Sequence, residues 1–151
     1  MDLGVILLNI KPSAKQNEIF KTLYDFIENR PYDQIVVFNS YCDIVDNYLV
    51  PILDVSQAKF FHGNILVFDT DSLFLASKFI NTNKLFFYST EEPPWAKDNK
   101  PYSYWKNIFE NNNLYIITDS IYLNDLYSIT WKDPIGISES FKYETLQHII
   151  Q

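Results

Sequence analysis

Apolar residues in this chain fall into two arrangements. In one they form short unbroken runs, at residues 3–9 (LGVILLN), 34–39 (QIVVFN), 65–68 (ILVF), 85–88 (LFFY) and 114–117 (LYII). Runs of this length, rich in β-branched and aromatic residues and lacking polar alternation, predict strands covered on both faces. In the other arrangement apolar residues recur every three or four positions. Ile19, Phe20, Leu23, Tyr24, Phe26 and Ile27 predict a first helix, opened by a Ser13–Gln16 capping box and stopped at residues 30–33 (RPYD). Asp43 is placed to cap a short helix through Tyr48, with Pro51 near its end. Residues 73–80 predict a helix capped from the polar stretch 69–72 (DTDS). Pro101 suits the first turn of a helix whose apolar face is Tyr104, Trp105, Ile108 and Phe109, and residues 111–113 (NNN) break it. Asp119 or Ser120 caps a helix carrying Ile121, Leu123, Leu126 and Tyr127, and residues 141–150 predict a closing helix. Shorter signals are an extra strand at residues 59–62, turns at Gly63-Asn64 and at residues 81–83, and extended pieces at residues 129–131 and 135–137.

Strands that alternate with helices predict an α/β fold. The expected architecture is a three-layer Rossmann-like domain with a mostly parallel sheet of five to six strands and helices on both faces. A length of 151 residues suits one core, so a single domain over residues 1–151 is expected. A hydrophobic content of 47% and an aromatic content of 17% exclude a disordered chain.

Open parallel sheets bind ligands beyond the carboxyl ends of their strands. Asp69, Asp71 and Ser72 follow one predicted strand; Thr90, Glu91, Glu92 and Trp95 follow the next; Thr118, Asp119 and Ser120 follow a third. They predict one acidic ligand-binding rim. Trp95, in a proline-bounded loop, is the aromatic best placed to stack on a ligand, whereas Tyr102, Tyr104 and Trp105 are expected to cover the core. The simplest use of Asp69, Ser72 and Asp119 is helix capping and dipole compensation.

Composition narrows the chemistry. With 3 glycines and neither GxGxxG nor GxxxxGK[ST], dinucleotide-fingerprint and P-loop chemistry are not expected. A net charge of -7 argues against nucleic-acid partners and electrostatic membrane docking. The apolar start is too short for a signal peptide or a membrane span. Cys42 is the single cysteine, so a reducing, cytoplasmic location is expected without an intrachain disulfide. Cys42, His62 and His148 are too few for a structural zinc site, carboxylate spacing alone assigns no metal, and no cofactor is indicated. Abundant Asn, Ile, Lys, Tyr and Phe fit an AT-rich genome, such as that of a virus or phage.

Three family resemblances attach to the rim. Asp69-Thr70-Asp71 after a strand resembles the haloacid-dehalogenase nucleophile motif, but it stands too close to residues 86–90 (FFYST) for that family's intervening elements. Asp69 as a phosphoacceptor resembles a receiver domain, but Asn9 stands where receivers carry an acidic pair and Thr118-Asp119 where they carry lysine. A wider resemblance runs from Ile65 to the C-terminus. Residues 69–72 (DTDS) before the Leu75-Ala76-Ser77 helix, Ser89-Thr90-Glu91-Glu92 with Trp95, Thr118-Asp119-Ser120, and residues 134–139 (PIGISE) before Phe141 follow one another as do the motifs of a GT-B glycosyltransferase N-terminal half of the glycogen-synthase-like type. That family carries histidines where this chain has Asp69, Asp71 and Glu91. The resemblance implies an acceptor-binding module for a sugar or nucleotide-sugar ligand, completed by a partner chain that supplies the nucleotide-sugar half. The competing expectation is a non-enzymatic module that binds a partner protein or a second copy of itself.

Overall fold

A computed structural model of the chain describes residues 1–10, 14–29, 31–42 and 50–150. In chain order its elements are β1 (Leu3–Ile6), β2 (Asn9–Ile10), α1 (Ala14–Asn29), β3 (Ile35–Asn39), β4 (Tyr41–Cys42), β5 (Ile52–Asp54), a 3₁₀ turn (Val55–Phe60) and β6 (Gly63–Val67). They continue with α2 (Thr70–Ala76), β7 (Thr82–Ser89), α3 (Pro94–Lys97), α4 (Tyr102–Phe109), β8 (Leu114–Thr118) and α5 (Ile121–Thr130). The chain closes with β9 (Gly136–Ile137), a second 3₁₀ turn (Glu139–Phe141) and α6 (Tyr143–Leu146). The expected helix from Asp43 to Tyr48, and Ser13 and Arg30 at the ends of the first helix, lie outside the described residues.

Among the described residues the main sheet has seven strands, all parallel, in the order β5-β3-β1-β6-β7-β8-β9. The chain starts in the middle at β1 and steps outward to β3 and β5. It then returns to the far side of β1 to lay down β6 through β9. The point of reversal, between β1 and β6, is where an open α/β sheet leaves a crevice beyond its carboxyl ends. The register there pairs Leu3 with Asn64 and Ile6 with Val67.

Each strand is apolar on both sides because each face is covered. Leu3, Val5, Val37, Leu66, Phe86 and Ile117 meet α1, the second 3₁₀ turn and α6 on one face. Ile6, Ile65, Val67, Leu85, Phe87 and Ile116 meet α2, α4 and α5 on the other. The three-layer Rossmann-like expectation is met.

Several local expectations are corrected. The sheet has seven strands where five to six were expected, because β5 and β9 are edge pieces of three and two residues. Residues 59–62 do not form a strand: Asp54 accepts from the Ser56 amide at 2.8 Å and starts the 3₁₀ turn, which buries Ala58. Gly63-Asn64 is no turn but the opening of β6, and Thr82 already belongs to β7. The helix after Asp69 ends at Ala76, where the Ser77 hydroxyl donates to the Phe74 carbonyl at 2.7 Å and competes with helix continuation. Residues 129–131 are not extended; Ile129 and Thr130 complete α5 and Trp131 caps it. The expected helix over residues 141–150 shrinks to Tyr143–Leu146, because Ser140 and Phe141 have φ values of 57° and 51°. The first strand ends at Ile6, and Asn9–Ile10 pairs with Tyr41–Cys42 in a separate small parallel sheet. No helix among the described residues is long and apolar enough to cross a membrane.

Candidate functional site

The carboxyl ends of β6, β7 and β8 open onto a groove with two adjoining lobes. The larger, of about 650 Å³, sits at the reversal point and reaches from Leu7 and Leu8 past Asp69 and Ser89 to Glu92 and Lys97. The smaller, of about 440 Å³, lies over β7 and β8 beside the second 3₁₀ turn, with Tyr88, Asp119, Ser120 and Phe141 in its wall. Lys15, Ile19, Phe68, Thr90 and Glu91 line both lobes, so the two are continuous. Both volumes lie within the range of roughly 300–1,000 Å³ usual for small-molecule pockets.

Of the expected rim residues, Asp69, Asp71, Thr90, Glu91 and Glu92 line the larger lobe. Asp119 and Ser120 line the smaller one, which also shares Thr90 and Glu91. Three are not brought to the cavity. Ser72 is fully buried behind Asp69; Thr118 is fully buried and donates to the Ser120 carbonyl at 3.3 Å. Trp95 packs edge-on against Tyr127, with ring centres 4.9 Å apart, and against Phe109 at 5.9 Å. It meets protein rings edge-on, and its neighbour Pro94 takes the place at the cavity wall. Trp105, as expected, is buried and Tyr104 packs on the core, but Tyr102, expected to do the same, is exposed and lies flat on Trp131 at the surface.

Asp69 does cap α2. One carboxylate oxygen accepts the Ser72 amide at 2.8 Å and the other accepts the Ser72 hydroxyl at 3.0 Å. In α5 the capping group is Ser120, whose hydroxyl oxygen accepts the Leu123 amide at 3.2 Å. Asp119 is thereby left to face the groove. Asp69→Ala is expected to cost about 1 kcal/mol of stability, the usual value of a lost cap, whereas Asp71→Ala should change it by less than about 0.5 kcal/mol. Urea denaturation of the two variants checks this, and equal losses would remove the capping role of Asp69.

Glu91 has a φ of 65°, a left-handed conformation that follows the end of β7 where the residue borders both lobes. Such a residue costs of order 1–3 kcal/mol unless its surroundings fix it. Its carboxylate meets Lys97 at 3.3 Å, but both groups are solvent-exposed, so the pair contributes little to stability. The groove is acidic in balance. Asp69, Asp71, Glu91, Glu92 and Asp98 face Lys15, Lys97 and Lys100 in the larger lobe, and Glu18, Glu91, Asp119 and Glu139 face Lys15 in the smaller.

Tyr88 forms the inner wall of the smaller lobe. Its phenol donates to the Ser138 carbonyl at 2.5 Å and accepts the Phe141 amide at 2.9 Å. Burial pushes its pKa up to about 12, and the charges of Asp119, Glu18 and Glu139 add to the shift. The Thr22 hydroxyl donates to the Phe141 carbonyl at 2.7 Å, tying the same turn to α1. Phe141 packs edge-on to Phe68 at 4.9 Å, which leaves the half-buried Phe68 ring as the aromatic surface shared by the lobes.

Lys15, Glu18 and Ile19 at the start of α1 were not anticipated from the sequence. The rule that selected Asp69 would have found them, since they too follow the carboxyl end of a strand. Glu139, Ser140 and Phe141 could not be found that way, because they reach the groove from a turn that follows the edge strand. Among the described residues no group of three or more His, Cys, Asp or Glu side chains is placed to hold a metal ion. No family model, curated protein or solved structure matches this chain.

Proposed function

We propose that this chain is a glycosyltransferase-like module that binds a sugar-containing acceptor in the groove at the carboxyl ends of β6, β7 and β8. The observation that carries the reading is the chemistry of the cavity wall. Carboxylates and short hydroxyls line both lobes together with a half-buried aromatic ring, Phe68, at the reversal point of the sheet. Carboxylates accept hydrogen bonds from the hydroxyls of a sugar, and an aromatic face covers its C–H surface. The excess of carboxylates over lysines favours an uncharged acceptor over the diphosphate of a nucleotide sugar. The GT-B resemblance gives the same assignment: an acceptor half, whose nucleotide-sugar contacts come from a partner chain. In this reading it works in the cytoplasm, as its single cysteine suggests.

A thermal-shift screen against free sugars and nucleotide sugars tests the proposal. A sugar at a hundred times its Kd should raise stability by about 2.7 kcal/mol, a shift of several degrees. No shift with any sugar would end the reading.

A second reading, a protein-interaction module, is favoured by the outer surface of α5. Ile121, Tyr122 and Ile129 are exposed there, close in the chain to the exposed Ile135 and Ile137. Light scattering of the purified chain should then show a stable oligomer that the triple change Ile121→Ser, Tyr122→Ser and Ile129→Ser dissolves. A monomer at all concentrations would rule out self-association.

A further inference from the structure

We infer that Ser89 is a ligand-contacting hydrogen-bond donor at the floor of the larger lobe, with its proton aimed by Tyr127. This rests on the acceptor-site reading for the nature of the ligand atom alone. Ser89 closes β7, is 2% exposed and lines the larger lobe beside Thr90 and Glu91. Tyr127, on α5, is fully buried, and its phenol donates to the Ser89 hydroxyl oxygen at 2.8 Å.

The surroundings set the direction of that bond. Trp95 and Phe109 pack edge-on against the Tyr127 ring, at 4.9 and 5.6 Å, and offer no acceptor oxygen. A buried phenol that kept its proton away from Ser89 would leave the proton unpaired, at the full cost of desolvation. With Tyr127 as donor, the Ser89 oxygen is an acceptor and its own proton turns elsewhere. Among the described residues the Ser89 hydroxyl makes no other hydrogen bond, and Ser89 borders the larger lobe. A hydroxyl that already accepts one hydrogen bond is also polarised toward donating another.

The group that completes this arrangement carries a lone pair: a ring ether oxygen, a hydroxyl or a carbonyl. An ammonium group does not fit at this point, because it has no lone pair to accept with. Tyr127 touches no ligand and acts as a positioning residue. Its packing explains why the aromatic cluster of Trp95, Phe109 and Trp131 stands directly behind a binding surface.

Two measurements test this, the first needing no ligand. In Ser89→Cys the introduced thiol should react with iodoacetamide in the native protein, faster than global unfolding permits, with the site of modification located by mass spectrometry. A thiol that stays unmodified until the protein unfolds overturns the inference. The second is a double-mutant cycle on calorimetric binding of maltose and of a uridine diphosphate sugar. Ser89→Ala and Tyr127→Phe should each weaken the bound probe roughly three- to tenfold, the value of one neutral hydrogen bond. Tyr127→Phe should add nothing in the Ser89→Ala background. Wild-type affinity in Ser89→Ala, or a full additional loss in the double variant, overturns it. If the wild type binds neither probe, the acceptor-site reading is what fails. A thiol modified in the native state then still upholds Ser89 as the cavity-facing group, and an unmodified one still overturns it.

Discussion

Replacing Tyr88 by phenylalanine is expected to lower the unfolding free energy by about 2–4 kcal/mol, although the ring volume is unchanged. The phenol bridges two backbone groups fifty residues away, the Ser138 carbonyl and the Phe141 amide. Ser138 is fully buried and Phe141 is 3% exposed, so neither backbone group is solvated as it would be at the surface. Each orphaned backbone group costs roughly 1–3 kcal/mol, and the two effects share one relaxation, so they do not add in full. Between these anchors Ser140 and Phe141 are both left-handed, with φ of 57° and 51°. Neither is glycine, and such conformations persist where the surroundings over-determine them. Without the phenol the turn relaxes, and with it the wall of the smaller lobe. Urea denaturation should show the loss, and hydrogen exchange of the Phe141 amide should accelerate far more than that of central β1. A loss under about 1 kcal/mol with unchanged Phe141 protection would mean that the Thr22 hydroxyl and ring packing hold the turn unaided.

The second large effect is expected at Gly63→Ala, with a loss of about 3–5 kcal/mol or failure to fold. Gly63 has a φ of 152°, and a Cβ built there would stand 2.4 Å from the Asp2 carbonyl oxygen and 3.0 Å from its carbon. Both are backbone atoms of the segment entering β1, so no side-chain rotation can relieve the overlap. The same Asp2 carbonyl accepts the Asn64 amide at 2.9 Å, which sets the register of β1 against β6. Added volume at this point pushes the two central strands apart at the start of their pairing. Gly136 provides the contrast. The three atoms nearest a Cβ there all belong to the Ile149 side chain, the closest being Cδ1 at 2.7 Å, and that chain can change rotamer. Gly136→Ala should therefore cost about 1 kcal/mol. Thermal or urea unfolding of the two alanine variants separates the cases; equal small losses would mean that β1 and β6 yield more easily than their shared register suggests.

Gly63 also shows where reading the sequence fails. Gly-Asn before an apolar run has the signature of a turn, and locally nothing contradicts it. The strand conformation follows from the approach of Asp2, sixty-one positions earlier in the chain, which no local pattern records. Residues 129–131 failed for the opposite reason. Their β-branched and aromatic character suggests an extended segment, yet helical hydrogen bonding in α5 and stacking of Trp131 on Phe109 at 5.3 Å decide for helix.

The sequence by itself determined the class of the fold, the placement of its central strands and the rim on which the groove opens. These follow from periodicity, because a strand covered on both faces must be apolar throughout and a helix packed on a sheet must be apolar every three or four residues. It also placed most of the acidic side chains of the groove, since they directly follow strands. Tertiary structure alone decided which polar groups face the cavity. Trp95 turns to Tyr127, and Ser89 and Phe141 come to the groove. The reason is physical: a hydroxyl, carboxylate or indole can bond to a nearby backbone, a distant ring or a ligand at similar free energy. The choice among them is made by the neighbours that the assembled sheet brings within reach.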